Sequence, residues 1–298
     1  MRNEETVPTR MNITRRDLLR GLPCLCAGLV TPKVALGRPV SLPLRFMKLR
    51  HSMFLLELNQ RRILIDPWFS RGAGAPLFAH APSSPLMPED IGRLDLILVT
   101  TSSHVTLDSK AVRRLRDKKA YVLVPDEEAA KVFRNAGYRR VRVVRPGDQW
   151  MVAGLQVDVS PAHTANFGRN HVGFRVEAGG RSVWHTGRLS TLDSPATVRT
   201  FGRRFPSDIL IVPFETVSRP VSRLYGMYGL SHAEVQFLAR LTKARAVVPH
   251  QDDYGPSWWI QRFLEESNQM TPLLPAHTAS YPRIIKPDRG RWHAFLGP

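Results

Sequence analysis

The sequence predicts a protein of the α/β class, and two observations carry that prediction. The first is an alternation of helix and strand patterns along 109–144, which is typical of helices layered on a sheet. The second is a short run of branched apolar residues at 96–99, which suits a buried strand better than a helix. With 298 residues, 43% of them hydrophobic, the chain is long enough to bury a full core.

The first part of the chain predicts strands followed by one long loop. Two short strands are predicted over 44–58, with Arg50-His51-Ser52 between them, and a third strand over 61–67. Residues 71–88 are rich in Ala, Pro, Gly and Ser and show no helix or strand period. We expect them to form a loop, and loops of this length in a compact domain often cover a site.

The rest of the chain alternates between strands and helices. In order, the predicted elements are a strand at 96–99, a basic helix over 109–117, a strand over 120–125, a helix over 126–136, strands over 141–144, 152–159, 171–177, 182–185 and 208–213, a helix over 231–243, a strand over 245–250 and closing strands over 281–296. Gly179-Gly180 predicts a hairpin turn, and Ser231 with Glu234 predicts a capping box.

The charge balance and the first residues predict an exported, basic protein. Residues 1–38 resemble a twin-arginine export signal, with Arg15-Arg16 leading into a modestly apolar stretch. The expected organisation is therefore a signal segment at 1–38 and one domain at 39–298, located in the periplasm. A basic helix without a targeting role is the alternative for the first segment. The formal charge is +18, and residues 39–298 retain 36 Lys/Arg against 22 Asp/Glu, or +14.

Such an excess of positive charge attracts anionic surfaces. An anionic membrane surface is a candidate partner, whereas no nucleic acid is expected, because no nucleic-acid-binding motif is present. A general preference for Arg in the source proteome would explain the charge equally well. The sequence does not predict the oligomeric state.

The segment 95–108 resembles a signature of the metallo-β-lactamase superfamily. The nearest branch by resemblance is that of the ascorbate-phosphate lactonases and N-acylphosphatidylethanolamine phospholipase D, in which the loop T-H-x-H-x-D-H-L-D holds one or two metal ions. Here the frame is present as Val99-Thr100 before the loop and Leu107-Asp108 after it. The positions of the family's His, His, Asp and His ligands are occupied by Thr101, Ser103, Val105 and Thr106. The resemblance implies a four-layer αβ/βα sandwich whose metal-binding loop is degenerate.

Other family positions are retained only in part. His163 and His250 stand where the family has metal ligands, whereas Arg188 stands where the H-x-G-D motif has an aspartate that bridges two metals. His51 and Asp66 match positions that support the metal centre from behind. From the residues alone, these two are a buried histidine and a strand-end aspartate held by backbone amides.

These substitutions predict a non-catalytic or altered-activity protein that binds an anionic ligand: a phosphate, a carboxylate or a lipid headgroup. No cofactor is expected. The predicted pocket residues are Thr101, Ser103, His104, Asp108, His51, Asp66 and Arg188.

Two alternatives remain open. One is a metal-dependent hydrolase with a rebuilt mononuclear zinc site formed by His104, His163 and His250, acting on a lipid phosphodiester, amide or lactone. The other is a periplasmic scaffold that binds a partner through its surface. The sequence contains no G-x-S-x-G elbow, phosphate-binding glycine loop or cysteine nucleophile that would indicate another chemistry.

Overall fold

A computed structural model describes residues 43–69, 83–103, 106–162, 171–189, 196–214, 229–250 and 282–295. All of them belong to one compact unit that spans 41–298. The predicted export segment, most of the predicted loop at 71–88 and two candidate ligands, His104 and His163, lie outside the described residues. Export and the function of residues 1–38 therefore stay predictions.

The described strands and helices follow the predicted alternation. The strands are β1 Leu44–Arg50, β2 Met53–Leu58, β3 Arg61–Ile65, β4 Leu96–Leu98, β5 Tyr121–Val124, β6 Val141–Val143, β7 Gln149–Val152, β8 Leu155–Pro161, β9 Val172–Ala178, β10 Arg181–His185, β11 Ile209–Pro213, β12 Ala246–His250, β13 Arg283–Ile284 and β14 His293–Phe295. The helices are α1 Ser109–Arg114, α2 Glu127–Asn135, α3 Ala196–Arg204 and α4 His232–Thr242.

The strands form two mixed sheets of seven described strands each. The first has the order β14-β1-β2-β3-β4-β5-β6, and the second has the order β13-β12-β11-β10-β9-β8-β7. In the first sheet β3, β4, β5 and β6 are parallel to one another, and in the second sheet β10 to β13 are parallel. Each sheet therefore has an edge at which several strands end together, and this is where α/β proteins place their sites.

Three apolar clusters define the layers. The largest lies between the sheets and includes Phe46, Phe54 and Phe174. A second cluster packs α1 and α2 on the outer face of the first sheet, and a third packs α3 and α4 on the outer face of the second sheet. The fold is thus an α/β protein with a four-layer αβ/βα sandwich, as predicted. No helix in the described part of the chain is long and apolar enough to cross a bilayer.

Local differences from the predicted elements have identifiable causes. The strand predicted at 152–159 is observed as β8, which begins only at Leu155 because Ala153 and Gly154 both adopt positive φ and form a turn. This turn pairs β8 with β7, a strand that was not predicted. Helix α1 is shorter than predicted, since Leu115 is already extended. Helix α3 and a short 3-10 helix at Pro88–Ile91 were not predicted. The capping box of α4 is confirmed, with Ser231 Oγ accepting from the Glu234 amide.

Candidate functional site

The inter-sheet core becomes polar at the edge where the parallel strands end. Successive residues of a strand point to opposite faces of its sheet. On β1 the inward face carries Leu44 and Phe46 and continues, by this alternation, to Lys48. On β10 it carries Val183 and then His185, and on β12 it carries Ala246 and Val248 and then His250. Arg50 ends β1 outside this alternation, because a β-bulge after Lys48 pairs it with Met53 of the outer-face cluster. All four polar residues are buried. Cationic and imidazole side chains from both sheets therefore lie together at the ends of the parallel strands, which we call the carboxyl edge.

Asp66, which directly follows β3, is the carboxylate of this edge. Its two oxygens accept hydrogen bonds from the Thr100 amide at 2.7 Å and from the Thr100 hydroxyl at 2.8 Å. Burial raises the pKa of Asp66 to about 7, and this rise is opposed by the Thr100 bonds, the nearby Ser52 side chain and the positive charge of Arg188. The prediction of a strand-end aspartate held by a backbone amide is confirmed, and Arg188 acts on this carboxylate electrostatically.

Two buried histidines, His185 and His250, stack beside each other with ring centroids 4.7 Å apart. His185 is fixed in one tautomer: Nδ1 accepts from the Gly187 amide at 3.2 Å, so Nε2 carries the proton toward the Ser52 carbonyl, also at 3.2 Å. Burial lowers the pKa of His185 to about 3. The pKa of His250 is also lowered, first by burial and then by the charges of His185, His51 and Lys48. Both imidazoles are therefore neutral at physiological pH.

The turn between β1 and β2 brings a guanidinium into the same region. Arg50 is fully buried, and its guanidinium carbon lies 3.9 Å from the centre of the Trp68 ring. His51 meets the same indole edge-on at 5.4 Å. His51 and Asp66 both have positive φ, near +43° and +49°. Left-handed backbone in residues other than glycine is costly, and it is often found at functional sites.

The loop that follows β4 is closed by its own hydrogen bonds. Thr106 Oγ1 donates to the carbonyl oxygens of Thr101 and Ser103, at 2.8 and 2.9 Å. The Thr106 side chain, which replaces a family histidine, thus binds the loop backbone. Asp108 caps α1 by accepting from the Lys110 and Ala111 amides at 3.0 Å. Its Oδ1 is engaged in capping, so the structure gives Asp108 a helix-capping role that the sequence-based pocket assignment did not include.

The described residues fit a metal ion poorly. Among them no three His, Cys, Asp or Glu side chains are grouped as a metal would require. His250 does offer two nitrogens without a hydrogen bond of normal geometry to any described residue, as a ligand would. Lys48 and Arg188, however, lie close enough to act electrostatically on His250 and Asp66 respectively. Within the described residues, a divalent cation beside His250 would therefore also be near Lys48, and one beside Asp66 would be near Arg188.

Of the residues predicted for the pocket, the structure brings Asp66, Arg188 and His51 to one edge of the fold, with Thr101 and Ser103 in the loop that follows β4. His104 and His163 lie outside the described part. Sequence reasoning missed Lys48, Arg50 and His185. The signal for Lys48 and His185 was the two-residue period of β1 and β10, which continues the inward apolar face into polar residues. Arg50 has no such signal, because a β-bulge interrupts the period of β1 after Lys48.

The comparisons with known proteins agree with the fold. The family model "Beta-lactamase superfamily domain" matches residues 61–250. A metal-dependent hydrolase of Caldivirga maquilingensis is 26% identical over 80% of this chain and 93% of its own length. A second, from Pyrobaculum aerophilum, is 25% identical over 67% of this chain and 80% of its own length.

Solved structures with the same fold match this chain over nearly the whole of their own length. An isothiocyanate hydrolase from Delia radicum gut bacteria superposes with a TM-score of 0.61 at 16% identity, over 84% of this chain and 99% of that chain. A metallo hydrolase from Ignicoccus hospitalis superposes with a TM-score of 0.59 at 16% identity, over 86% of this chain and 100% of that chain. At such low identity these structures bear on the fold alone. The family match and the sandwich together show that this chain belongs to the β-lactamase superfamily.

Proposed function

We propose that this protein binds a small anion at the carboxyl edge and has lost or altered the metal-dependent hydrolysis for which its relatives are named. The proposal is supported by one observation: the cationic side chains of Lys48 and Arg188 act on the buried His250 and Asp66, at the edge where the resembled family holds divalent metal ions. The ligand classes that fit are a phosphate, a carboxylate or the anionic headgroup of a lipid.

Electrostatics supports an anion rather than a metal cation at this place. Two unit charges 4 Å apart interact by about 4 kcal/mol at an effective dielectric constant of 20, and twice that for a divalent ion. The carboxylate of Asp66 offsets only part of the positive charge, because its pKa of about 7 leaves it partly protonated at neutral pH. Each cationic side chain thus disfavours a metal and favours an anion, and Arg188 adds the planar donor fork that suits oxoanions.

A second candidate function is metal-dependent hydrolysis at a rebuilt zinc site. The observation in its favour is His250, whose two buried nitrogens make no hydrogen bond of normal geometry within the described residues. The relatives' names point the same way. Such a site would need His104 and His163 to complete the ligand set.

The test combines metal analysis with anion titration. The protein purified without chelator should contain well below one equivalent of zinc, iron or manganese by elemental analysis. Calorimetric titration with inorganic phosphate should show binding that Arg188→Ala weakens about tenfold or more, because a charge-assisted contact contributes roughly 1.5–3 kcal/mol. Arg181→Ala is the matched control: this arginine starts the same strand, β10, and lies 3.8 Å from Asp208. It should leave phosphate affinity unchanged.

Two results would contradict the proposal. One equivalent of metal that is lost in His163→Ala would favour the hydrolase. Equal phosphate affinity in wild type and Arg188→Ala would mean that Arg188 only compensates the charge of Asp66. The function would then belong to another surface of the protein.

A further inference from the structure

A large groove lies at the opposite edge of the first sheet, where the parallel strands begin. Its volume is about 840 Å³, and a smaller groove of about 500 Å³ shares part of its wall. The wall is formed by the residues that lead into β3, β4, β5 and β6, together with the β7–β8 turn. The residues lining the larger groove are Arg61, Gly92, Arg93, Leu94, Asp95, Arg116, Asp117, Lys119, Tyr121, Arg140 and Ala153.

The lining carries five cationic side chains and two carboxylates, a net charge of +3. Both carboxylates already hold the backbone of the strand entrances. Asp95 accepts from the Arg62 amide and from Arg61, each at 3.0 Å. Asp117 accepts from the Leu94 amide at 3.2 Å and from the Lys119 amide at 2.9 Å. Most of the positive charge is therefore not neutralised within the groove.

The cationic groups are also presented to solvent. The side chain of Arg93 is 79% exposed, although it approaches Asp95 at 3.7 Å, and Arg116 and Lys119 are exposed. The Arg140 guanidinium lies 4.8 Å from the centre of the exposed Tyr121 ring, so the two form a flat, cationic platform. Exposed guanidinium groups can receive an anion without a large desolvation cost.

The size and shape of the groove narrow the class of ligand. Sites for drug-sized ligands have volumes of about 300–1,000 Å³, so this groove is larger than one phosphate group requires. Its cations come from four separate chain segments, and a ligand must extend along the groove to meet them. A concave surface also suits a discrete molecule better than a flat membrane.

We propose that this groove is a second anion site that binds a ligand carrying several linked phosphate groups. It is independent of the carboxyl edge, because it is built from the starts of β3 to β6, whereas Asp66, His185 and His250 lie at strand ends. The shared chemistry is the oligophosphate, which could belong to a free molecule or to a multiply phosphorylated lipid headgroup.

The test uses the full chain and inorganic tripolyphosphate as the probe. Calorimetry should detect tripolyphosphate binding that weakens as salt increases. The double variant Arg116→Glu with Arg140→Glu should weaken it at least tenfold. The matched control is Arg199→Glu with Arg203→Glu, which changes the net charge equally on exposed positions of α3, on the outer face of the second sheet. The control should retain affinity within about twofold.

Three further measurements make the outcome decisive. Thermal unfolding should show that both double variants are folded. If either charge-reversal variant is unfolded, the milder double variant Arg93→Ala with Arg116→Ala should show the same loss of tripolyphosphate binding. Orthophosphate binding that depends on Arg188 should persist in the groove variant, so failure of one site does not imply failure of the other. Flotation with vesicles containing phosphatidylinositol bisphosphate, compared with phosphatidylglycerol vesicles, separates the lipid-borne from the free oligophosphate.

Equal loss of tripolyphosphate affinity in the groove and control variants would overturn the proposal, since net charge alone would then explain binding. Binding to phosphatidylglycerol vesicles without binding to tripolyphosphate would also overturn it, and would make the groove part of a general membrane-binding surface.

Discussion

The first sheet has a carboxyl edge, where β3 to β6 end, and an amino edge, where these strands begin. Arginine side chains have opposite environments at the two. At the carboxyl edge Arg50 is fully buried, and its guanidinium stacks on Trp68. At the amino edge Arg93 is mostly exposed and approaches Asp95 at 3.7 Å. A buried guanidinium must be compensated by its neighbours, whereas an exposed one keeps its water. Substitution of the buried Arg50 should therefore change stability, whereas substitution of the exposed Arg93 should change binding alone.

The carboxylates of the two edges also differ in burial. Asp66 is buried, accepts two hydrogen bonds from Thr100, and has a raised pKa. Asp95 joins the start of β3 to the loop before β4 through the Arg62 amide, and its cationic partners, Arg61 and Arg93, reach solvent. The carboxyl edge thus concentrates buried titratable groups, so the free energy of unfolding of the protein should depend on pH.

The largest expected effect is this pH dependence. His185 and His250 have lowered pKa values in the folded protein, so the unfolded chain binds more protons below pH 6.5 and stability falls as pH falls. Asp66 acts in the opposite direction, because its raised pKa makes the folded state bind the extra proton between about pH 4 and 7. From pH 6.5 to 4.5 His185 should cost about 2 kcal/mol and Asp66 should return about 2, while His250 adds to the loss in the same direction as His185.

Asp66→Asn separates these contributions. Over that interval the variant should lose about 2 kcal/mol more unfolding free energy than the wild type, in urea titrations at a series of pH values. Thr197→Ala is the control, since Thr197 is exposed on α3 and carries no ionisable group, so this variant should keep the pH profile of the wild type. Identical slopes for the wild type and Asp66→Asn would show that Asp66 does not titrate in this way.

The next effect is the truncation of Arg50. Arg50→Ala should lower the unfolding free energy by about 2 kcal/mol, because it removes buried stem atoms and a desolvated cation–π contact, although it also relieves a buried charge. Arg50→Met keeps most of the buried volume and should cost less. Denaturant unfolding at pH 7.5 measures both. No loss in Arg50→Ala would mean that the charge relieved is worth as much as the contact removed.

The smallest effect belongs to the amino edge. Arg93→Ala should change the unfolding free energy by less than about 0.5 kcal/mol, since exposed ion pairs contribute little. The same denaturant experiment used for Arg50 provides the comparison at matched pH and salt. A loss as large as that of Arg50→Ala would erase the distinction between the two edges.

Much of the fold follows from local sequence. The apolar runs of β1 to β5, the paired strands around Gly179-Gly180 and the capping box of α4 were predictable, because each depends on neighbours in the chain. The β7–β8 hairpin was missed, because its turn requires a positive φ at Ala153 and alanine rarely adopts that conformation. The altered loop at 101–106 and the replacement by Arg188 were also visible in the sequence.

The sequence by itself determined the class of fold, its superfamily and the absence of the family's His-rich loop, since these are matters of residue type and local spacing. Only the tertiary structure decided which side chains share the altered site. Lys48 comes from β1, His185 from β10 and His250 from β12, on two different sheets. Their meeting depends on two sheets packing face to face with their inward faces in register, and burial of that shared edge then sets the protonation of Asp66 and both histidines.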